Sequence, residues 1–116
     1  MVIWKSLYEE SVTNAEITAG NSEYFFSDDF TKQQIAKNQQ SFNALEINND
    51  SNNIVIDLDL DGLSTRRRRI FAKGNFSILP EDGIFFNNVK ITNTDGANSL
   101  NAGLLKLNAR ILKPLI

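Results

Sequence analysis

The segment 54–71 reads IVIDLDLDGLSTRRRRIF, and no other stretch narrows the fold of this chain as much. Ile54, Ile56, Leu58 and Leu60 alternate with Asp57, Asp59 and Asp61. A period of two is that of a strand, and here it makes one oily face and one acidic face. Asp61-Gly62 is a turn dipeptide, after which the chain returns through Arg66, Arg67, Arg68 and Arg69 into Ile70 and Phe71. A β-hairpin with an acidic arm and a basic arm is predicted.

The rest of the chain has the same grain. Residues 2–8 alternate loosely and read as a short strand or an extended arm. Over 12–19 a strand is expected, with Ala15, Ile17 and Ala19 inward and Gly20-Asn21 closing it, and another over 23–26. Ser27-Asp28-Asp29 precedes the only helical piece, 30–40, which Asp29 or Thr31 would cap and which has only Ile35 and Ala36 to bury. Strands resume with Leu45 and Ile47, then with Phe76 and Ile78, and Pro80-Glu81-Asp82-Gly83 is a tight-turn sequence. Residues 84–86 and 89–93 follow, joined by Asn87-Asn88. In the last strand Leu105, Leu107, Ala109 and Ile111 point inward and Lys106, Asn108 and Arg110 outward, until Pro114 ends regular pairing. The pattern predicts an all-β fold: a single antiparallel β-sandwich over 1–116, jelly-roll or immunoglobulin-like, with seven to nine short strands and at most one short helix near 30–40.

Composition removes several function classes. The chain has no cysteine and no histidine, so disulfides and the common zinc sites cannot be assembled. Acid–base and nucleophilic chemistry is left to carboxylates, Lys, Ser, Thr and Tyr, which the pattern puts mostly on strand surfaces, and Glu81 and Asp82 are explained as turn formers. No enzyme activity and no cofactor is expected. Asp57-x-Asp59-x-Asp61-Gly62 matches the first half of a calcium loop, but Arg68 stands where the closing glutamate belongs, and the flanking isoleucines argue for a strand. Neither a secretory signal nor a membrane span is read in the sequence. Fifteen asparagines are read as turn formers.

Two features point outward. Two of the arginines can face two of Asp57, Asp59 and Asp61 across the hairpin, but a strand period of two sends the other two toward the side of Leu58 and Leu60. The run therefore belongs in a solvated or paired loop, at a rim where it meets another chain, or on nucleic acid. Net charge is −2, which weighs against nucleic acid as the partner. Val2, Ile3 and Trp4 at one terminus and Leu115 and Ile116 at the other are apolar. They either pack as edge strands of one sheet or form terminal arms, 1–8 and 113–116, that dock on neighbours.

The succession Gly74-Asn75-Phe76-Ser77-Ile78-Leu79-Pro80-Glu81-Asp82-Gly83-Ile84, then Val89-Lys90-Ile91-Thr92-Asn93 and Ala102-Gly103 before the final strand, resembles small β-sandwich virion proteins of tailed bacteriophages. Such proteins are auxiliary or minor capsid, head-fibre or tail components. The resemblance implies a structural protein in the virion, made in the host cytoplasm, with copies of itself or other virion proteins as partners and no catalytic residues. A carbohydrate-binding or adhesive module would instead use exposed aromatics such as Trp4, Tyr24 or Phe85, and a small nucleic-acid-binding barrel would use the arginines.

Overall fold

The two halves of the chain pair with each other from the termini inward. In the computed structural model the described residues are 2–50, 54–60, 64–70 and 74–115, with the backbone alone described at 57, 59, 60 and 64–70. Strand β1 (Trp4–Thr13) lies antiparallel to β8 (Leu105–Pro114), and β2 (Ser22–Tyr24) to β7 (Asn88–Asn93). Next come β3 (Ala44–Asn49) with β6 (Asn75–Ile78), and β4 (Ile54–Leu60) with β5 (Ser64–Ile70). This is one long ribbon. It rolls up because β8 also pairs with β3 and β7 with β4, giving sheets of order β1-β8-β3-β6 and β2-β7-β4-β5. Among the described residues eight strands in two such sheets make a jelly roll, which decides between the two expected topologies. The turn expected at Asp61-Gly62 lies outside the described residues.

The predicted inner faces of β3, β4 and β8, together with that of β7, form one core between the sheets. Leu45 and Ile47 of β3 and Leu105, Leu107, Ala109 and Ile111 of β8 meet Ile54, Ile56 and Leu58 of β4 and Val89 and Ile91 of β7, all buried. Each large side chain contributes roughly 1.5–3 kcal/mol by leaving water. Phenylalanines close one end: Phe42 stands 5.2 Å from Phe26 and 5.5 Å from Phe86, ring centre to ring centre, with Tyr8 at 6.2 Å.

A ribbon that passes from one sheet to the other must interrupt its ladder at each corner, and buried asparagines take over the bonds there. The strand expected over 12–19 is absent for this reason. β1 runs on to Thr13, with a bulge between Ser6 and Tyr8, and then bends so that Ala15 is exposed while Ile17 is buried in a single bridge to Leu100. At that bend Asn14 Oδ1 accepts from the Leu105 N–H at 2.9 Å, and its Nδ2 donates to the carbonyls of Asn101 and Ala15 at 2.9 and 2.8 Å. Asn43 does the same at the other end, accepting from the Leu112 N–H and donating to the Leu112 carbonyl, both at 2.8 Å. Asn93 donates to the carbonyls of Ile17 and Asn98 and accepts from the Asp95 N–H. An asparagine amide presents one donor group and one acceptor, as a peptide does, so it can substitute for a missing strand neighbour.

Between β2 and β3 the chain forms α1 (Asp29–Asn38). Its cap is Asp28, not Asp29 or Thr31: Asp28 is extended and its Oδ1 accepts from the Thr31 N–H at 2.7 Å. Those bonds to the charged form, led by the Thr31 backbone N–H, hold the Asp28 carboxyl below its usual range. Thr31 is the helix residue that is buried, Ile35 is half-buried and Ala36 is exposed. The expectation that Ala36 packs inward therefore fails, because the helix lies against β1 through its first turn.

Asn43→Ala leaves the buried Leu112 N–H without an acceptor, and the expected loss in urea unfolding is about 2–3 kcal/mol. Ser41→Ala, which truncates a residue beside the same corner, should cost less than half as much.

Candidate interaction surfaces

Alternating strand direction sorts the connections onto the two ends of the roll. Both termini and the segments 25–43 and 79–87 gather at one end, while 14–21 and 94–104 lie at the other. The large apolar side chains left exposed are sorted the same way. Among the described residues they are Val2 (46%), Ile3 (56%) and Leu115 (57%) at the termini, Phe30 (59%) on α1, Leu79 (52%) and Phe85 (45%) around the following turn, and Tyr24 (52%) at the adjoining tip of β2. All stand at the end with the termini. The opposite end has Asn, Asp, Gly and Thr in its described loops, tied down by bonds such as Ala97 N–H to Asp95 Oδ1 at 2.8 Å.

The termini are strands of the sheet, not free arms. Trp4 stands opposite Pro114, Lys5 opposite Lys113, and the Leu115 N–H donates to the Ile3 carbonyl at 2.8 Å. β1 is an outermost strand, whereas β8 lies inside the sheet between β1 and β3. Trp4 is half-buried, and its Nε1 donates to Glu81 Oε1 at 2.9 Å. That bond fastens the start of β1 to the 3-10 turn at Pro80–Asp82, where Asp82 Oδ2 accepts from the Leu79 N–H at 2.9 Å and Gly83 takes the left-handed φ of 69°. The turn sequence was legible, but the exposure of Leu79 and Phe30 was not, because each looks like core material until the neighbouring element is known. Ile116 lies outside the described residues.

The arginines occupy a strand, the basic arm of the expected hairpin, and not the loop that was one of the alternatives for them. β5 is the outermost strand of the second sheet, and its register puts Arg67 opposite Asp57 and Arg69 opposite Val55. Arg66 and Arg68 stand opposite Leu58 and Ile56, as the strand period requires. Asp59 stands opposite Thr65, so among the described residues one acidic position, Asp57, meets an arginine position directly. Asp61 lies outside them. Across the sheet the same row continues through Lys90 to Tyr24, with Lys90 Nζ 5.9 Å from the centre of the Tyr24 ring. Charges of alternating sign, Lys90, Asp57 and Arg67, thus sit at neighbouring register positions on three strands.

A polar network joins α1 to β1. Tyr8 Oη donates to Glu10 Oε1, the same oxygen that accepts from Thr31 Oγ1 at 2.6 Å, while the Tyr8 and Phe30 rings stand 6.2 Å apart. Burial, and then the bond to Glu10, push the Tyr8 phenol from its usual value near 10 up to about 12. Sequence reasoning missed this network because Glu10 has the wrong chemistry for an inward position on β1.

Nothing else described gathers reactive groups. A shallow groove of about 380 Å³ on the first sheet is lined by residues including Ser11, Glu46, Lys106 and Asn108, and Asn108 Nδ2 donates to Glu9 and Ser11 at 2.7 Å. Among the described residues no three acidic side chains could together hold a metal ion, and no helix is long and apolar enough to cross a membrane. No protein-family model, curated protein or solved structure matches the chain.

A phenol whose pKa is raised on folding stabilises the fold fully below its unfolded value near 10, and that contribution is lost as pH climbs through about 12. In an ultraviolet titration a late tyrosinate phase near pH 12 is expected, and Tyr8→Phe should remove it.

Proposed function

We propose that this chain is a virion structural protein, an auxiliary or minor capsid or tail component, working through protein–protein contacts with its own copies and with a virion scaffold. The observation that carries this reading is the collection of exposed apolar side chains at the end holding both termini. Single exposed hydrophobics are ordinary, but seven gathered toward one end of the roll favour a surface that is covered in use. The jelly roll supports it as well, being a frequent architecture of capsid subunits, though a fold alone never assigns a function. The apolar end is the docking surface. Trp4, pinned to Glu81, and the paired segments at Ile3 and Leu115 hold it rigid before contact, so little ordering cost is incurred on docking.

A second reading has its own observation. Tyr24 and Phe85 are exposed aromatics at that same end, as a carbohydrate-binding module would need, and jelly rolls also serve as lectin domains. Binding on a glycan array that is lost in Tyr24→Ala would move this reading to the front.

Light scattering behind a sizing column, over a range of concentrations, tests the first reading. A discrete closed oligomer is expected, and Ile3→Asp/Leu115→Asp should weaken it by about tenfold or more, since each change puts a charge into a desolvated contact. A chain that stays monomeric at every concentration overturns assembly through its own copies.

A further inference from the structure

The fold separates charge onto its two lateral edges. On one side β1 is the outermost strand of the first sheet, and it carries Glu9 and Glu10. The start of α1 adds Asp28 and Asp29, because Thr31 bonds both Asp28 Oδ1 and Glu10 Oε1 and so holds the first turn of the helix at that edge. Lys5 and Lys32 are the cations alongside. On the other side β5 is the outermost strand of the second sheet, and Arg66, Arg67, Arg68 and Arg69 follow one another along it. In the rolled ribbon β1 stacks over β2 and β6 over β5, so the acidic and basic edges lie on opposite sides of the sandwich.

Both edges are long enough to pair. β5 has seven residues, and past its bulge β1 runs in regular register from Tyr8 to Thr13. An outermost strand presents a row of unshared backbone N–H and C=O groups, a template on which another strand adds.

We propose that the β1 edge of one copy takes the β5 edge of the next, strand against strand, which brings the acidic positions along and beside β1 to the arginine positions of β5. The occupant is a second copy of this chain, because the charge each edge needs is supplied by the opposite edge of the same molecule. The contact is head-to-tail, so it closes into a ring or runs on as a filament, and it leaves the apolar end of every copy facing the same way along a closed ring. It also accounts for a four-arginine strand in a chain whose net charge is −2. The inference rests on the reading of the chain as an assembly subunit.

Two charge-reversed chains test it: Arg68→Glu/Arg69→Glu, which leaves Arg67 opposite Asp57, and Glu9→Lys/Asp29→Lys, which leaves the helix cap and the Tyr8 network in place. Association of the wild-type chain, read by light scattering, should weaken about tenfold or more as NaCl rises from about 50 to about 500 mM. Each reversed chain alone should associate about tenfold or more weakly than the wild type, and an equimolar mixture of the two should associate again, which neither would do had it failed to fold. If both reversed chains associate like the wild type while Ile3→Asp/Leu115→Asp does not, the edge contact is overturned and the assembly reading stands. A mixture that stays monomeric although both chains show the wild-type circular dichroism overturns it too. Association seen only with added single-stranded oligonucleotide overturns it in favour of a nucleic-acid edge, and a wild-type chain monomeric at low salt overturns the edge contact together with assembly through its own copies.

Discussion

Antiparallel pairing of the first half of the chain with the second is the constraint on which everything else depends. The partners are far apart in sequence: Trp4 meets Pro114, Ile17 meets Leu100, Phe42 meets Phe86 and Leu45 meets Ile78. Only at β4 and β5 are the paired strands close neighbours along the chain. Closing that short loop carries the smallest entropy cost, after which each further pair extends a ribbon already begun. The acidic and basic hairpin is thus the seam from which the sheet can grow, and the opposition of Asp57 and Arg67 fits its register.

A ribbon alone would expose its oily face, so it has to roll, and rolling breaks backbone pairing at every corner. The buried asparagines answer that difficulty. Asn14, Asn43 and Asn93 each bond backbone groups that are distant in sequence, so they act as structural members of the interior and not as exposed turn formers. Their burial is favourable only because their amides are satisfied; an unsatisfied amide there would cost more than it contributes.

The same topology makes the two ends unlike. One end is closed by Phe26, Phe42 and Phe86, bordered by α1 and the turn fastened by Trp4, and left with exposed apolar side chains. The other is a set of polar loops braced by asparagine and aspartate. Charge is divided crosswise to this, with carboxylates beside β1 and arginines along β5. A subunit with one apolar end and two complementary lateral edges has the surfaces that a ring seated on a scaffold would use, which joins the two proposals physically.

The sequence by itself determined what period and local turn chemistry can encode. The all-β class, the inward residues of β3, β4 and β8, the pairing of the acidic with the basic strand and the turn at Pro80–Asp82 are all local patterns, and each is found among the described residues. Only the tertiary structure decided what depends on contacts between distant residues. These are the jelly-roll order, the bend that ends β1 at Thr13, the docking of α1 through Thr31 on Glu10, the placing of the arginines on an outermost strand, and the gathering of Ile3, Phe30, Leu79 and Leu115 at one end. A strand pattern states which side of a sheet a residue faces. It does not state which strand lies beside it, because that is set by the burial and hydrogen bonding of the whole roll at once.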